Sequence, residues 1–258
     1  METRSLAQNG RAACAARIVR MIPLDVAPAG LDGLAIELAG ERVLALAHRA
    51  LWWPAGRTVF VADVHLGKAE SFRALGVPVP RGPTEATLAR LGGLVDACGA
   101  ARLVVLGDLL HAREGQREAT IGPLRAWRAA RPALECVLVR GNHDGRAGDP
   151  PAELGIVAVD AGHRLGPFAL CHEPDDDAPS DARGYRLAGH VHPAVRLAGR
   201  GGDSLRLPCF RVGAAQAVLP AFGDFTGSAR AEAPAHERVL AIAGDRVLEL
   251  PRRGVRAQ

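Results

Sequence analysis

Five short polar motifs in this chain each follow an apolar run directly. They contribute two aspartates, one asparagine and four histidines, which are Asp63, His65, Asp108, Asn142, His172, His190 and His192. Carboxylate and amide oxygens and imidazole nitrogens are ligands that divalent transition metals take in proteins. These residue types at this spacing predict a site that holds two metal ions and hydrolyses a phosphate ester.

Each motif alone has an ordinary structural explanation. An Asp-x-His or Gly-Asp pair after a strand is typical of a surface turn, and a single histidine such as His172 is more often a hydrogen-bonded core residue. GNHD at 141–144 and GHVH at 189–192 are more specific. The five motifs together favour the metal site over the structural explanation.

Ligand count divides the set into two trios that share one carboxylate. The first trio, for one metal, is Asp63, His65 and His192. The second trio, for the other metal, is Asn142, His172 and His190. Asp108 is expected to bridge them, because a carboxylate offers two anionic oxygens to two cations. Metals about 3.5–4 Å apart would share a water or hydroxide as the nucleophile. The mixed ligands favour Mn, Fe or Zn over Mg or Ca, with Mn²⁺ as the leading candidate.

Five further polar residues lie close to these motifs. His143 is expected to stabilise the transition state or to protonate the leaving group, with Asp144 as its orienting partner. The alternative for His143 is a metal ligand or a structural residue. Lys68, His111 and Arg113 are candidate contacts to the phosphate, and a solvated loop position is the alternative for each of them.

Alternating strands and helices must position the motifs. Apolar runs predict strands over 58–62, 102–106 and 135–139, separated by helices over 83–98 and 117–130. The carboxyl ends of parallel strands lie along one edge of a sheet. The motifs that follow these three strands are therefore expected to converge in space.

Shorter strands are predicted on either side of this alternating region. Alternating apolar residues around Gly40 predict a hairpin over 34–46. After Asp160, turn signals separate short apolar runs that predict mixed or antiparallel strands. These runs cover 167–171, 185–188, 205–212 and 238–242.

Composition narrows the class of protein. At 258 residues, 48% hydrophobic and 23% charged, the chain is typical of a globular α/β protein. Residues 1–20 are expected to form a poorly ordered extension, and 21–258 a single domain. The formal charge of +4 fits an anionic substrate. A high GC content of the genome, which enriches arginine, explains the charge equally well. Aromatic residues make up only 4%, which disfavours base-stacking platforms.

Cysteine usage and hydropathy indicate the compartment. The five cysteines include no CxxC pair, and this favours free thiols in a reducing environment. No segment reaches the roughly 18 apolar residues of a membrane span, and the N-terminus has no sustained apolar signal region. A cytoplasmic protein without membrane contact is expected. No heptad or apolar stripe argues for an oligomer, so the oligomeric state stays open.

The motifs in this order resemble the calcineurin-like metallophosphoesterase superfamily. The resemblance implies a four-layer αββα sandwich of two mixed β-sheets flanked by helices, with a dinuclear metal site. The ligand assignment obtained from ligand count coincides with the one that the superfamily implies. Members often have an aspartate at the position of His111, which is a departure in this chain.

A more specific resemblance covers nearly the whole chain after Met21. Its motifs are WWP at 52–54, DVHLGK at 63–68, FRALGVPVP at 72–80, LGDLLHAR at 106–113, VRGNHD at 139–144, CHEP at 171–174, GHVHPAVRL at 189–197, LPCF at 207–210 and LPAFGDFTG at 219–227. They are similar to the ligase-associated DNA damage response endonucleases. This family implies a phosphodiester of DNA as the substrate, and a functional association with an ATP-dependent DNA ligase and a helicase in bacterial repair. From the residues themselves, LPCF and LPAFG are interpreted as strand ends and turns.

Two other functions fit the same residues. A phosphatase or phosphodiesterase that acts on nucleotides or other small phosphate esters would share every ligand and differ in its cleft. A repair scaffold with a vestigial site is the other alternative. All seven ligand positions are occupied, which disfavours the scaffold.

Overall fold

The computed structural model describes residues 28, 30–79, 82–175, 184–199, 203–224, 229–230 and 236–251. The extension expected at 1–20 lies outside these residues. Within them, no helix is long and apolar enough to cross a membrane. The four described cysteines are free thiols, and three of them are buried.

The first sheet has seven strands that lie side by side in chain order. They are β1 (Gly33–Leu38), β2 (Glu41–Leu46), β3 (Ala50–Trp53), β4 (Thr58–Val61), β5 (Arg102–Leu106), β6 (Glu135–Val139) and β7 (Ile156–Val159). Strands β1 to β4 pair antiparallel, and β4 to β7 pair parallel. The predicted hairpin is confirmed, with Ala39 and Gly40 both at positive φ in its two-residue turn.

Four α-helices are described, together with single turns of 3-10 helix at Arg113–Gln116 and Ala152–Leu154. The α-helices are α1 (Lys68–Ala74), α2 (Pro83–Ala97), α3 (Glu118–Ala129) and α4 (Asp144–Ala147). Helix α2 begins with Pro83 at its first position and is followed by Gly99 at φ 56°, as predicted. Helix α1 was not predicted, because it is short and only Ala69 of its seven residues is buried.

The second sheet is mixed and has nine strands. They are β8 (His163–Leu165), β9 (Phe168–Leu170), β10 (Tyr185–Ala188), β11 (Pro193–Ala198), β12 (Ser204–Val212), β13 (Gln216–Val218), β14 (Ala229–Arg230), β15 (Arg238–Ala243) and β16 (Arg246–Leu250). Strand β10 pairs parallel with both β9 and β13, whereas β12 pairs antiparallel with its neighbours. The four predicted segments are confirmed as β9, β10, β12 and β15.

The two sheets pack face to face around an apolar core. On β4, Phe60 points to the second sheet and contacts Phe168 edge to face at 5.8 Å, whereas Val59 and Val61 point to the helices. Burial on both faces explains why β4 is apolar from Val59 to Val61. The predicted sandwich of two mixed sheets with flanking helices is confirmed. Among the described residues, every helix precedes Gly155.

Candidate metal centre

The polar motifs lie at the carboxyl ends of strands in both sheets. Asp63, Asp108 and Asn142 follow β4, β5 and β6, which are parallel neighbours in the first sheet. His172 and His190 follow β9 and β10, which are parallel neighbours in the second sheet. Because the sheets pack face to face, these two edges meet and the side chains converge, as the strand order predicted.

The first trio forms a compact group. Nε2 of His192 lies 3.3 Å from Oδ1 of Asp63 and 3.4 Å from Nε2 of His65. Asp63 is buried, and its Oδ1 accepts no hydrogen bond from the described residues, whereas its Oδ2 accepts the N–H of His190 at 2.9 Å. Burial, reinforced by the charge of Lys68, lowers the pKa of His65 to about 2, so this ring is neutral. A buried carboxylate oxygen beside imidazole nitrogens fits a divalent cation.

The second trio brings two lone pairs together. Nε2 of His172 lies 3.0 Å from Oδ1 of Asn142 and 3.0 Å from Nδ1 of His190. The other nitrogen, Nδ1, lies 2.9 Å from the Leu106 carbonyl oxygen, and it carries the proton because a carbonyl only accepts. With the ring in its neutral form, Nε2 of His172 and Oδ1 of Asn142 are then both acceptors. A cation that both atoms ligate removes their repulsion, so this trio also fits a metal ion.

Asp108 lies between the two trios. Its Oδ1 is 3.5 Å from Nε2 of His172, and its Oδ2 is 3.8 Å from Nε2 of His65. Each carboxylate oxygen therefore faces a different trio, which is the arrangement expected of a bridging ligand. Burial raises the pKa of Asp108, and bound cations would act in the opposite direction.

Five candidate ligands have left-handed backbone. Among the described residues other than glycine, eight have positive φ, and five of these are Asp63 (53°), His65 (51°), Asp108 (54°), His190 (70°) and His192 (45°). This conformation costs about 1–2 kcal/mol per residue. Hydrogen bonds hold it, including Asp63 N–H to the Gly107 carbonyl at 3.1 Å and His65 N–H to the Asp108 carbonyl at 2.9 Å. Backbone strain of this kind concentrates at functional sites.

Two motif glycines allow the ligands to approach the backbone closely. A Cβ at Gly107, where φ is 82°, would lie 2.0 Å from Nδ1 of His172. A Cβ at Gly141 would lie 2.3 Å from Oδ1 of Asp108 and 2.7 Å from its backbone nitrogen. A side chain at either position would displace a candidate ligand, which explains glycine in both motifs.

His143 and His111 stack at the mouth of the centre. Their ring centroids are 4.8 Å apart, with 22° between the planes. Nδ1 of His143 donates to the His111 carbonyl oxygen at 2.6 Å, so its Nε2 faces inward, 3.9 Å from Oδ2 of Asp108. Nδ1 of His111 lies 3.3 Å from Nδ1 of His65. The rings of His65, His111 and His143 form a further group of nitrogen atoms that could ligate a metal ion. His143 is thus directed at the centre without belonging to either trio.

Asp144 does not orient His143, and that expected pairing is wrong. Its buried carboxylate accepts three backbone hydrogen bonds, from Asp108 N–H at 2.7 Å, Gly141 N–H at 3.0 Å and Leu110 N–H at 3.2 Å. The three N–H groups hold the carboxylate against the backbone, and Nδ1 of His143 donates to the His111 carbonyl instead. Asp144 therefore ties together the two loops that carry Asp108 and the GNHD motif.

Comparison with known proteins places this arrangement in a family. No family model matches the chain, and no curated protein is significantly similar to it. The chain is similar to the crystal structure of Pseudomonas putida nuclease MPE, with 43% sequence identity and a TM-score of 0.72, over 85% of this chain and 100% of that chain. The chain belongs to the family of that nuclease. An Aquifex aeolicus protein of unknown function, AQ665, gives 18% identity and a TM-score of 0.34 over 56% of this chain and 81% of that chain, which supports no conclusion.

A small cavity lies beside the first trio. Its volume is about 20 Å³, and Lys68 lies in its wall. Burial lowers the pKa of Lys68, and the carboxylates of Asp108 and Asp63 act in the opposite direction. Lys68 is thus placed to contact an anion at the centre. Arg113 is exposed and does not line this cavity, so of the candidate phosphate contacts Lys68 and His111 lie at the centre.

The sequence did not reveal the role of segment 221–224. Phe222 N–H donates to the Ala62 carbonyl at 2.8 Å, and Gly223 N–H donates to the Asp63 carbonyl at 3.1 Å. Arg90 holds the segment through the Phe222 carbonyl and through the Asp224 carboxylate at 2.6 Å. The segment therefore supports the backbone of Asp63 and lines the cavity. The LPAFG motif is the available signal, but its pattern predicts only strand ends and turns, and it does not predict the hydrogen bonds to the backbone of Ala62 and Asp63.

When His111 is replaced by asparagine, the free energy of unfolding of the metal-free protein is expected to fall less on acidification. Burial, reinforced by Lys68 and His143, lowers the pKa of His111 from 6.5 to about 4. The unfolded chain binds this proton below pH 6.5 and the folded chain only below about 4, so acid favours unfolding within that window. Urea unfolding of chelator-treated protein, repeated from about pH 7 to about pH 5, gives the slope of the free energy of unfolding against pH for each variant. His163→Asn, at an exposed histidine, is the matched control, and equal slopes for wild type and His111→Asn would contradict the prediction.

Proposed function

We propose that this protein is a metal-dependent nuclease that hydrolyses phosphodiester bonds of DNA with two divalent transition-metal ions. The observation that supports this most strongly is that the two trios meet at the buried carboxylate of Asp108. The first trio has one aspartate and two histidines, and the second has one asparagine and two histidines. Membership in the family of a nuclease supports the phosphodiester substrate. We also propose that 21–258 is one domain, since its described parts form one sandwich.

The proposed ligands follow the two trios. Asp63, His65 and His192 would hold one ion, the second trio of Asn142, His172 and His190 would hold the other, and Asp108 would bridge them. Oxygen and imidazole ligands with one amide favour Mn²⁺, with Fe or Zn as the other candidates. When bound, two such ions supply Lewis acidity to the phosphate and lower the pKa of water.

The remaining side chains position and protonate the substrate. Nε2 of His143 is directed into the centre by the hydrogen bond from Nδ1 to the His111 carbonyl, and it would donate a proton to the leaving oxygen. The ammonium of Lys68 would contact a phosphate oxygen from the cavity wall. The carboxylate of Asp144 would hold together the two loops that carry Asp108 and Asn142.

The biological setting is part of the same proposal. The resemblance to ligase-associated DNA damage response endonucleases supports a role in bacterial DNA repair. It also supports a functional association with an ATP-dependent DNA ligase and a helicase. The formal charge of +4 is compatible with a DNA substrate.

Hydrolysis of three substrates in the presence of Mn²⁺ tests this function. Bis-p-nitrophenyl phosphate represents a diester, p-nitrophenyl phosphate a monoester, and a supercoiled plasmid represents DNA. Cleavage of the diester and of the plasmid is expected. Turnover of the monoester alone would assign the protein to small phosphate esters, and no turnover of any substrate would favour a scaffold.

Replacement of His143 by alanine is expected to lower kcat for the diester by about 10²- to 10⁴-fold while the metal content stays at the wild-type level. The side chain belongs to neither trio, so its removal deletes a proton donor and no ligand. Metal analysis and steady-state kinetics on the same preparation measure both quantities. His163→Ala, on the exposed strand β8, is the control and should match wild type. Loss of metal from His143→Ala would show that His143 is a ligand.

A further inference from the structure

A second cavity is lined by parts of both sheets and of helix α2. Its volume is about 510 Å³, within the range of about 300–1,000 Å³ that small-molecule sites have. The turn between β2 and β3 contributes His48 and Arg49 to the wall, and α2 contributes Arg90. None of the seven candidate metal ligands is among the described residues that line it. The cavity is therefore separate from the metal centre.

Two buried nitrogen atoms of this wall have no hydrogen-bond partner among the described residues. They are Nδ1 of His48 and Nε of Arg90. Nε of an arginine always carries a hydrogen, so it can only donate. Buried polar atoms in proteins are nearly always paired, and a pair of orphans at one cavity needs an explanation. A ligand that brings oxygen acceptors into the cavity would supply the missing partners.

Two guanidinium groups of the wall share one carboxylate. Nη1 of Arg49 and Nη1 of Arg90 both contact Oδ1 of Asp224, at 3.3 Å and 2.6 Å. Burial lowers the pKa of Arg49; Asp224 opposes this effect, and the charge of Arg90 adds to it. Burial, followed by the charge of Arg90, also lowers the pKa of His48. The two arginines therefore create a positive potential that favours an anion.

The part of the wall that the second sheet supplies is mostly apolar. It includes Leu207, Pro208 and Ile242, together with Asp245 in the turn between β15 and β16. Asp245 is exposed, so water screens its negative charge. A ligand with an anionic group and a less polar body fits a wall that combines cationic and aliphatic parts. A nucleoside monophosphate unit has this composition.

The same arginines connect this cavity to the metal centre. Arg90 donates to the Phe222 carbonyl, and the neighbouring Gly223 N–H donates to the Asp63 carbonyl at 3.1 Å. Asp224, which both arginines contact, lines the small cavity beside the first trio. The segment 221–224 therefore contacts the walls of both cavities.

We propose that this second cavity binds a nucleoside monophosphate unit, with its phosphate on Arg49 and Arg90 and its sugar and base against Leu207 and Ile242. Guanidinium groups bind phosphate oxygens through paired N–H donors. The unit comes from a free nucleotide or from a nucleic-acid strand. The strand as source rests on the proposed nuclease function, whereas the free nucleotide does not depend on it.

Binding of deoxyadenosine monophosphate (dAMP) to the Mn²⁺-loaded protein tests this site. Isothermal titration calorimetry gives the number of dAMP molecules bound per chain and their affinities. In His48→Gln/Arg49→Gln, the affinity of one dAMP site is expected to fall about tenfold or more, because charge-assisted hydrogen bonds are lost. This difference from wild type holds whether or not the metal centre also binds dAMP. Arg125→Gln, which removes one charge at an exposed position of α3, is the control and should match wild type.

A labelled single-stranded oligonucleotide distinguishes the two sources of the phosphate. Asp108→Asn serves as the parent protein, because it is expected not to cleave the strand. Fluorescence anisotropy compares its affinity with that of the same protein carrying His48→Gln/Arg49→Gln. A fall of about tenfold or more would place the strand in the cavity. Unchanged strand affinity together with lost dAMP binding would assign the cavity to free nucleotides.

Two results would overturn the proposal. The first is that dAMP and the oligonucleotide bind the double variant as tightly as they bind its parent. The second comes from Arg49→Lys, which keeps the positive charge and so separates loss of binding from loss of folding. This variant is expected to bind dAMP more tightly than Arg49→Gln, and equal affinities would mean that no anion contacts Arg49.

Discussion

Asp108→Asn is expected to lower turnover of a phosphodiester by at least about a thousandfold and to reduce the bound metal. The change removes one negative charge from a side chain that faces both trios, with one oxygen 3.5 Å from Nε2 of His172 and the other 3.8 Å from Nε2 of His65. The amide oxygen of asparagine can still accept the His143 N–H, which donates to Oδ1 of Asp108 at 2.9 Å. Folding should therefore be retained. Diester kinetics, metal content and urea unfolding measure the three quantities.

A surface aspartate provides the control for this substitution. The Asp160 side chain is 90% exposed and pairs with Arg140 at 2.7 Å. Asp160→Asn removes the same charge at an exposed position that is not a candidate ligand, and it should leave rate and metal content unchanged. If Asp108→Asn keeps the wild-type rate, Asp108 does not bridge two metals.

Asp144→Ala is expected to lower the free energy of unfolding by about 3 kcal/mol or more. The substitution leaves three backbone N–H groups, those of Asp108, Gly141 and Leu110, without their acceptor. Burial raises the pKa of Asp144, while these hydrogen bonds oppose that effect by stabilising the carboxylate. Asp144→Asn keeps one acceptor oxygen and should lose less. Urea unfolding of the metal-free variants provides the measurement.

Asp149 is the matched control for Asp144, because it lies in the same segment but is exposed. Asp149→Ala loses a surface ion pair with Arg140 and is expected to cost less than about 1 kcal/mol. A variant Asp144→Ala with wild-type stability and a reduced rate would contradict the structural role. It would instead favour the original pairing with His143.

Much of the fold followed from sequence patterns. Continuous apolar runs bounded by Gly-Asp or Gly-Asn predicted β5 and β6, and Pro83 with Gly99 predicted both ends of α2. Helix α1 was not predicted from the sequence, because its buried residues do not form a stripe along one face at helical spacing. Its start depends on Gly67 at φ 79°, where a Cβ would lie 2.6 Å from Cα of Gly115. Tertiary contacts of this kind leave no periodic signal in the sequence.

The sequence predicts which residues meet at the candidate site. It does not predict their backbone conformation or all of their hydrogen-bond partners. The predicted strand ends place Asp63, Asp108 and Asn142 at one edge of the sheet, where the structure has them. The left-handed backbone of Asp63 was not predictable, because residues other than glycine rarely adopt it. Adjacency in sequence suggests that Asp144 orients His143, whereas in the fold its carboxylate accepts three backbone N–H groups.

The number of Mn²⁺ ions bound per chain, measured together with cleavage of DNA, tests the dinuclear site most directly. Protein stripped with a chelator would be reloaded with Mn²⁺, and metal content and plasmid cleavage would be followed on the same samples. The assignment of two trios around Asp108 predicts two ions per chain, and cleavage that disappears with the metal and returns with it. Cleavage that persists in stripped protein, or full activity with a single bound ion, would contradict it.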